Sequence, residues 1–221
     1  MIQLVGPGGA GKSTVGAALA RQLGCQFLDL DREFERRHAD IDAFIDAHGY
    51  EWYARENVAV YLDLVPDLRN TVLALSSGFM VYPPSAHSAY AAITDGIASS
   101  RTTFVLLPSL HRETCVAETV RRQLRRPFGR RDAEREEAVI RHRFDRYMAL
   151  PATKIETMRP ASDVARAIHA RLAAEAPEAT RPCVVPLAVS VSADASLAAP
   201  PGGIGQHEQV QTAEEEQRER E

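Results

Sequence analysis

A glycine-rich segment near the N-terminus limits the possible folds more than any other feature of this sequence. Residues 6–13 match the pattern GxxxxGK[ST], with Lys12 and Ser13 at its end. The apolar run Ile2–Val5 precedes the segment, and from Lys12 apolar residues recur at helical spacing up to Leu23. A strand, a tight turn and a helix in this order are the context in which the motif forms a phosphate-binding loop. The alternative, a plain glycine turn with a solvated lysine, is disfavoured because both flanking elements are present.

The residue types of the loop explain how it would bind phosphates. Glycines allow the backbone to curl so that several N–H groups converge, and the start of the helix adds its positive dipole end. We expect Lys12 to reach the β- and γ-phosphates of ATP and the Ser13 hydroxyl to bind Mg²⁺. Lysine occurs only at positions 12 and 154 among the 26 basic residues, so a lysine stands where the motif needs a compact charge. The predicted nucleotide-binding residues are Gly8, Gly9, Ala10, Gly11, Lys12, Ser13 and Thr14.

The rest of the sequence alternates short apolar runs with segments of helical periodicity. Strands that alternate with helices favour a parallel sheet covered on both faces. We therefore predict a three-layer α/β/α fold with a five-stranded parallel sheet, of the P-loop NTPase class. Predicted strands cover residues 2–5, 26–29, 72–75, 103–107 and 155–157. Predicted helices cover residues 12–23, 32–37, 40–49, 51–64, 113–124, 133–149 and 162–174.

Charge and composition separate the C-terminal part from the rest of the chain. The whole chain has a net charge of −4, and residues 176–221 hold eight acidic and three basic residues. The remaining body is therefore nearly neutral, which is compatible with an anionic ligand. Residues 176–221 also carry several prolines and little apolar periodicity. We predict a folded domain over residues 1–175 and a disordered acidic tail over residues 176–221. The alternative for residues 183–191 is an edge strand.

Cysteine spacing and hydropathy bear on metal binding and on location. Cys25, Cys115 and Cys183 are isolated in the sequence, so neither a zinc site nor a disulfide framework is predicted. No apolar run approaches the length of a membrane span, and no secretion signal is apparent at the N-terminus. We therefore expect a cytoplasmic protein with no membrane partner.

Two carboxylates lie at the end of the second predicted strand. Asp29 and Asp31 flank Leu30, and ligands of open parallel sheets bind beyond the carboxyl ends of the strands. Because the spacing crosses a strand-to-helix turn, one acid can approach a magnesium ion while the other meets a second substrate. The alternative is a structural role in which Asp31 caps the helix that begins at Arg32. The upstream phosphate-binding loop favours the functional interpretation.

Taken in order, these motifs resemble the shikimate kinase family, which has a nucleoside monophosphate kinase-like fold. The resemblance covers about residues 1–172 and rests on GxxGxGKST, on Phe-Leu-Asp-x-Asp and on a glycine before an aromatic segment. It implies that Asp29 serves magnesium and that Asp31 binds the shikimate hydroxyls as a catalytic residue beside the transferred phosphoryl group. It also implies ATP and Mg²⁺ as cofactors.

The sequence departs from the family at two places in the acceptor site. The family's Phe-Arg pair, whose arginine holds the shikimate carboxylate, aligns with Tyr53 and Ala54. The nearest guanidinium is that of Arg55, a candidate for substrate binding, although one helical position is a rotation of about 100°. The family's Gly-Gly-Gly turn aligns with Ser-Ser-Gly at residues 76–78, of which Ser77 and Gly78 are predicted to contact substrate. Two added Cβ atoms narrow this turn, and the hydroxyl groups offer new hydrogen bonds.

A basic segment covers residues 121–146, with ten arginines against five acids. Most such runs are solvated helix faces, but three arginines of the chain match family positions. The resemblance implies that Arg126 belongs to a lid, around residues 121–135, which brings it onto the γ-phosphate as a catalytic residue. It implies that Arg143 binds the substrate carboxylate and that Arg159 lies beside the adenine. No aromatic platform alternates with the arginines, so nucleic acid is not expected as a partner.

The predicted function is ATP-dependent phosphorylation of a hydroxyl group on a small carboxylated polyol, shikimate by resemblance, and we expect a monomer. One alternative is a related kinase for another small hydroxy acid or sugar, suggested by Ala54 and by Ser76 and Ser77. The other alternative is a ligand-sensing module that keeps ATP binding without turnover.

Overall fold

A computed structural model describes residues 1–125 and 133–175. Five strands form one sheet in the order β2-β3-β1-β4-β5, and all neighbouring pairs are parallel. The predicted five-stranded parallel sheet is therefore confirmed. The predicted lid residue Arg126 and the predicted tail, with its residues 183–191, lie outside the described residues. The strands are β1 (Ile2–Val5), β2 (Gln26–Asp29), β3 (Thr71–Ala74), β4 (Thr103–Leu107) and β5 (Thr153–Glu156).

Eight α-helices connect and cover the strands within the described residues. Seven of them match predicted helices with ends that differ by at most two residues, and α5 was not predicted. Tyr90, Ile93 and Ile97 of α5 recur at helical spacing, so the sequence carried a signal for it. The helices are α1 (Lys12–Leu23), α2 (Leu30–Arg37), α3 (Ile41–His48), α4 (Tyr50–Leu64), α5 (Tyr90–Ser99), α6 (Arg112–Leu124), α7 (Ala133–Ala149) and α8 (Ala161–Glu175).

Two apolar cores lie on opposite faces of the sheet, because alternate residues of a strand point to opposite sides. Leu4 packs with α1 and α8, whereas its neighbour Val5 packs with α2, α4 and α7. All residues of β3 and β4 are buried, as expected for strands covered on both faces. The three-layer α/β/α prediction is confirmed.

The strand order fixes where a ligand can bind. The central strand β1 lies between β3 and β4, and the glycine-rich segment follows its carboxyl end. The segments that follow β2 and β3 emerge at the same edge of the sheet. Parallel α/β sheets bind ligands at this edge. None of the described helices is long and apolar enough to cross a membrane.

Candidate active site

The glycine-rich segment forms a tight loop between β1 and α1. Gly11 adopts a left-handed conformation with φ 91° and stands at the N-cap of α1, a conformation that side chains with a Cβ rarely adopt. At Gly6 an added Cβ would collide with the carbonyl oxygen of Leu106 on β4. The loop therefore needs glycine at both ends for its curvature and for its close contact with the sheet.

Lys12 folds back over this loop. Its Nζ donates hydrogen bonds to the carbonyl oxygens of Gly6 at 2.8 Å and of Pro7 at 3.1 Å. The residue is only 9 % exposed. The ammonium group is thus held inside the curve of the loop, where a bound phosphate would meet it.

Ser13 and Asp29 form a pair beside the loop. The Ser13 hydroxyl donates to Oδ2 of Asp29 at 2.5 Å. Oδ1 of the same carboxylate accepts from the backbone N–H of Asp31 at 3.1 Å, so Asp29 is the N-cap of α2, which begins at Leu30. The alternative in which Asp31 caps this helix is therefore wrong, because the helix begins at Leu30, two residues earlier than that alternative requires.

The oxygen atoms of this pair suit a magnesium ion. Mg²⁺ is commonly held by one or two protein oxygens together with substrate phosphates and water. Ser13 and Asp29 supply a hydroxyl and a carboxylate next to the phosphate-binding loop. Among residues 1–125 and 133–175 no group of three or more His, Cys, Asp or Glu side chains could hold a metal by itself. The donor set fits Mg²⁺ bound with a nucleotide.

Asp31, in the first turn of α2, interacts electrostatically with a group of buried tyrosines. Burial raises the pKa of the Tyr53 hydroxyl well above its usual value, and the negative charge of Asp31 raises this pKa further. Asp31 also contributes to the raised pKa of Tyr82, for which burial is the main cause. The two carboxylates therefore have different neighbours. Asp29 bonds to Ser13 of the phosphate-binding loop, whereas the charge of Asp31 acts on the tyrosines.

Arg143 and Ser77 come together from distant parts of the chain. Nη1 of Arg143, on α7, donates to Oγ of Ser77 at 3.2 Å, in the turn after β3. One helical turn later, the hydroxyl of Tyr147 donates to the carbonyl oxygen of Ser77 at 2.9 Å. These bonds attach α7 to the turn. They hold the Arg143 guanidinium beside Gly78.

Tyr50 and Tyr82 lie against Gly78, and Tyr53 packs against both of these tyrosines. A Cβ at this glycine would lie 2.5 Å from Oη of Tyr50, 2.8 Å from Cε1 of Tyr82 and 3.4 Å from Nη2 of Arg143. The Tyr53 ring lies 5.9 Å from that of Tyr50 and 6.0 Å from that of Tyr82. Tyr50 and Tyr53 are three residues apart on α4, and this spacing is the signal that predicts a shared face. We call Tyr50, Tyr53 and Tyr82 the tyrosine cluster.

Ala54 and Arg55, the two residues that follow Tyr53, contribute no positive charge to the region around Gly78. Ala54 has no exposed surface and belongs to the core beneath α4. Arg55 is exposed, and its guanidinium carbon lies 5.3 Å from the ring centroid of Trp52. The structure does not bring Arg55 to Arg143 or Gly78, because one position along α4 rotates its side chain away. We therefore omit Arg55 from the acceptor site.

A cavity beside the loop is lined in part by Arg159. Its volume is about 370 Å³. Arg122, which the sequence analysis did not single out, bonds from α6 to the carbonyl oxygens of Gly9 at 3.2 Å and of Thr157 at 3.0 Å. The only signal for Arg122 in the sequence was its place in the arginine-rich segment. The cavity is lined by Gly9, Gly11, Thr14, Val15, Arg122, Thr157, Arg159 and Ala161.

Comparisons with known proteins agree with this geometry. The family model described as shikimate kinase matches residues 8–173. The shikimate kinase of Francisella tularensis subsp. novicida is 30% identical over 159 residues, which are 71% of this chain and 84% of the relative. The structure of a shikimate kinase from Acinetobacter baumannii in complex with shikimate is 28% identical, with a TM-score of 0.59 over 77% of this chain and 91% of that one. A shikimate kinase from Aquifex aeolicus, at 20% identity and a TM-score of 0.57, shares the fold. The chain belongs to the shikimate kinase family.

Proposed function

We propose that this chain transfers the γ-phosphoryl group of ATP to a hydroxyl group of shikimate, giving ADP and shikimate 3-phosphate. The observation that carries the proposal is the double role of the Asp29 carboxylate. One oxygen bonds Ser13 in the phosphate-binding loop and the other bonds the backbone of Asp31. A phosphate site and an acidic group for the acceptor are thereby held side by side. Membership of the shikimate kinase family supports the same reaction.

The nucleotide is proposed to bind through the loop and the cavity beside it. The N–H groups of residues 8–14 and the Lys12 ammonium would contact the phosphates. Arg159, together with Arg122, would border the base, since both line the cavity of about 370 Å³. Ser13 and Asp29 would hold Mg²⁺, which neutralises charge on the β- and γ-phosphates when it is bound.

The acceptor is proposed to bind between Asp31 and Arg143. The oxygen of the attacking hydroxyl bonds to the γ-phosphorus of ATP while the bond between this phosphorus and ADP breaks. Asp31 accepts the proton that the hydroxyl loses. Arg143 fixes the carboxylate of the acceptor, and Ser77 and Gly78 form the wall against which the ring lies. Arg126, which lies outside the described residues, is proposed to close on the γ-phosphate and stabilise the charge of the transition state.

Three wider proposals rest on the sequence. Residues 1–175 form the kinase domain, and residues 176–221, which lie outside the described residues, form an acidic extension by composition. The enzyme acts as a monomer in the cytoplasm. Its partners are small molecules and not nucleic acid.

A second candidate is a kinase for another small hydroxy acid. The observation that favours it is the buried Ala54, which leaves the acceptor site without the family's second arginine. A third candidate, a sensing module, would bind ATP without turnover.

One experiment separates the three. ADP release is measured with shikimate and with a panel of other hydroxy acids and sugars, beside a calorimetric titration of ATP. Turnover that depends on shikimate supports the proposal, and turnover with a different acid supports the second candidate. Tight ATP binding without turnover on any acceptor supports the third.

A further inference from the structure

The acceptor site contains one arginine where the family places two. Ala54 cannot accept a charged side chain without burying it, because it has no exposed surface and packs in the core. Asn57, one turn later on α4, is also fully buried, and its Oδ1 accepts a hydrogen bond from the Tyr82 hydroxyl at 3.1 Å. This stretch of α4 is therefore arranged around neutral polar groups. A carboxylate bound by Arg143 needs a further partner from elsewhere.

Tyr50 supplies a hydroxyl group at the required place. Nη2 of Arg143 lies 3.4 Å from Oη of Tyr50, although the two residues are 93 positions apart. Both atoms converge on Gly78, where an added Cβ would approach Oη to 2.5 Å and Nη2 to 3.4 Å. Glycine at this position lets the two groups approach the backbone closely.

The chemical state of Tyr50 suits the binding of an anion. Partial burial raises the pKa of its hydroxyl above the usual value, although the charge of Arg143 opposes this shift. The phenol therefore keeps its proton at neutral pH. A hydroxyl that accepts a bond from a guanidinium can still donate its own proton to another group. A carboxylate has two oxygens and about four lone pairs, so it can accept from a guanidinium and a phenol together.

We propose that the Tyr50 hydroxyl and the Arg143 guanidinium together bind the carboxylate of the acceptor. Tyr50 then takes the role of the arginine that the family has at the position of Ala54. The inference rests on the proposed function, since it concerns the acceptor of that reaction. It predicts selectivity for acceptors with a single carboxylate, because one cation and one neutral donor face that group.

The test compares Tyr50→Phe with the unchanged enzyme on two acceptors, shikimate and its methyl ester. The substitution removes one hydroxyl from a residue that is 39 % exposed, so the fold is preserved. With shikimate the KM is expected to rise about tenfold or more, as for the loss of a hydrogen bond to a charged group. The kcat and the KM for ATP stay unchanged. With the methyl ester, whose carbonyl oxygen can accept only a neutral hydrogen bond, the rise in KM is smaller.

Two controls give each outcome one meaning. Trp52→Phe changes an exposed aromatic residue of the same helix that the site does not use, and it leaves both KM values unchanged. Tyr50→Phe combined with Arg143→Ala raises the KM for shikimate by less than the product of the single effects, since both side chains bind one group. Equal losses on shikimate and on the ester, or no loss on either, would overturn the role of Tyr50. Failure of the unchanged enzyme to phosphorylate shikimate would refute the proposed function and this inference with it.

Discussion

Substitution of Gly78 by alanine tests the geometry of the acceptor site. The backbone at Gly78 has φ −100°, which any residue adopts, so the effect of the change is steric. The new Cβ would lie 2.5 Å from Oη of Tyr50 and 2.8 Å from Cε1 of Tyr82. Tyr50 can turn outward, but Tyr82 is only 4 % exposed and its ring cannot yield freely. Overpacking of this kind costs about 1 to 3 kcal/mol.

The cost should appear in both acceptor binding and stability. Because 1.4 kcal/mol corresponds to a factor of ten, the KM for shikimate should rise by up to about 140-fold, with ATP affinity unchanged. If the whole cost destabilises the folded state, Tm falls by about 2 to 12 °C. Steady-state kinetics and thermal unfolding monitored by circular dichroism measure the two effects.

Gly96→Ala is the matched control for this substitution. Gly96 lies in α5, and a Cβ there would have no atom within 4 Å. Alanine should leave the kinetics unchanged and stabilise the helix by up to about 1 kcal/mol. If Gly78→Ala behaves like Gly96→Ala in both assays, the tyrosine cluster does not border the acceptor, and the site is incorrectly located.

Three further predictions concern other parts of the molecule. Lys12→Ala should reduce turnover by more than about a hundredfold, because it removes a charge from a dry phosphate site; an unchanged circular dichroism spectrum checks the fold. Ala54→Arg should lower Tm by several degrees and should not improve the KM for shikimate, because it buries an unpaired charge in a filled core; a lower KM at constant Tm would contradict this. Deletion of residues 180–221 should change Tm by less than about 5 °C, since their composition predicts little packing, and thermal unfolding measures it.

The sequence alone predicted those features that depend on residues adjacent in the chain. β1 and β4 are short apolar runs bounded by turn residues, and both end at the predicted residues, as does β2. The loop after β1 is a continuous segment, so its glycines, Lys12 and Ser13 could be recognised together. Asp29 was found for the same reason, since it ends a strand. α5 was missed although its apolar spacing is helical.

The acceptor side required the tertiary structure. Tyr50, Gly78 and Arg143 belong to α4, to the turn after β3 and to α7, and no local pattern connects them. Ala54 is buried whereas Arg55 is exposed, because one position along α4 rotates a side chain by about 100°. Arg122 was overlooked because an arginine run gives no sign of which member faces inward.

The most direct test of the proposed function is the mass of the acceptor after reaction. The purified enzyme is incubated with shikimate, ATP and Mg²⁺, and the acceptor and ADP are quantified by mass spectrometry and by a coupled assay. We expect one phosphoryl group added to shikimate for each ADP formed, and no such product from Lys12→Ala. Formation of ADP with unmodified shikimate, or equal product from Lys12→Ala, would contradict phosphoryl transfer to shikimate at this loop.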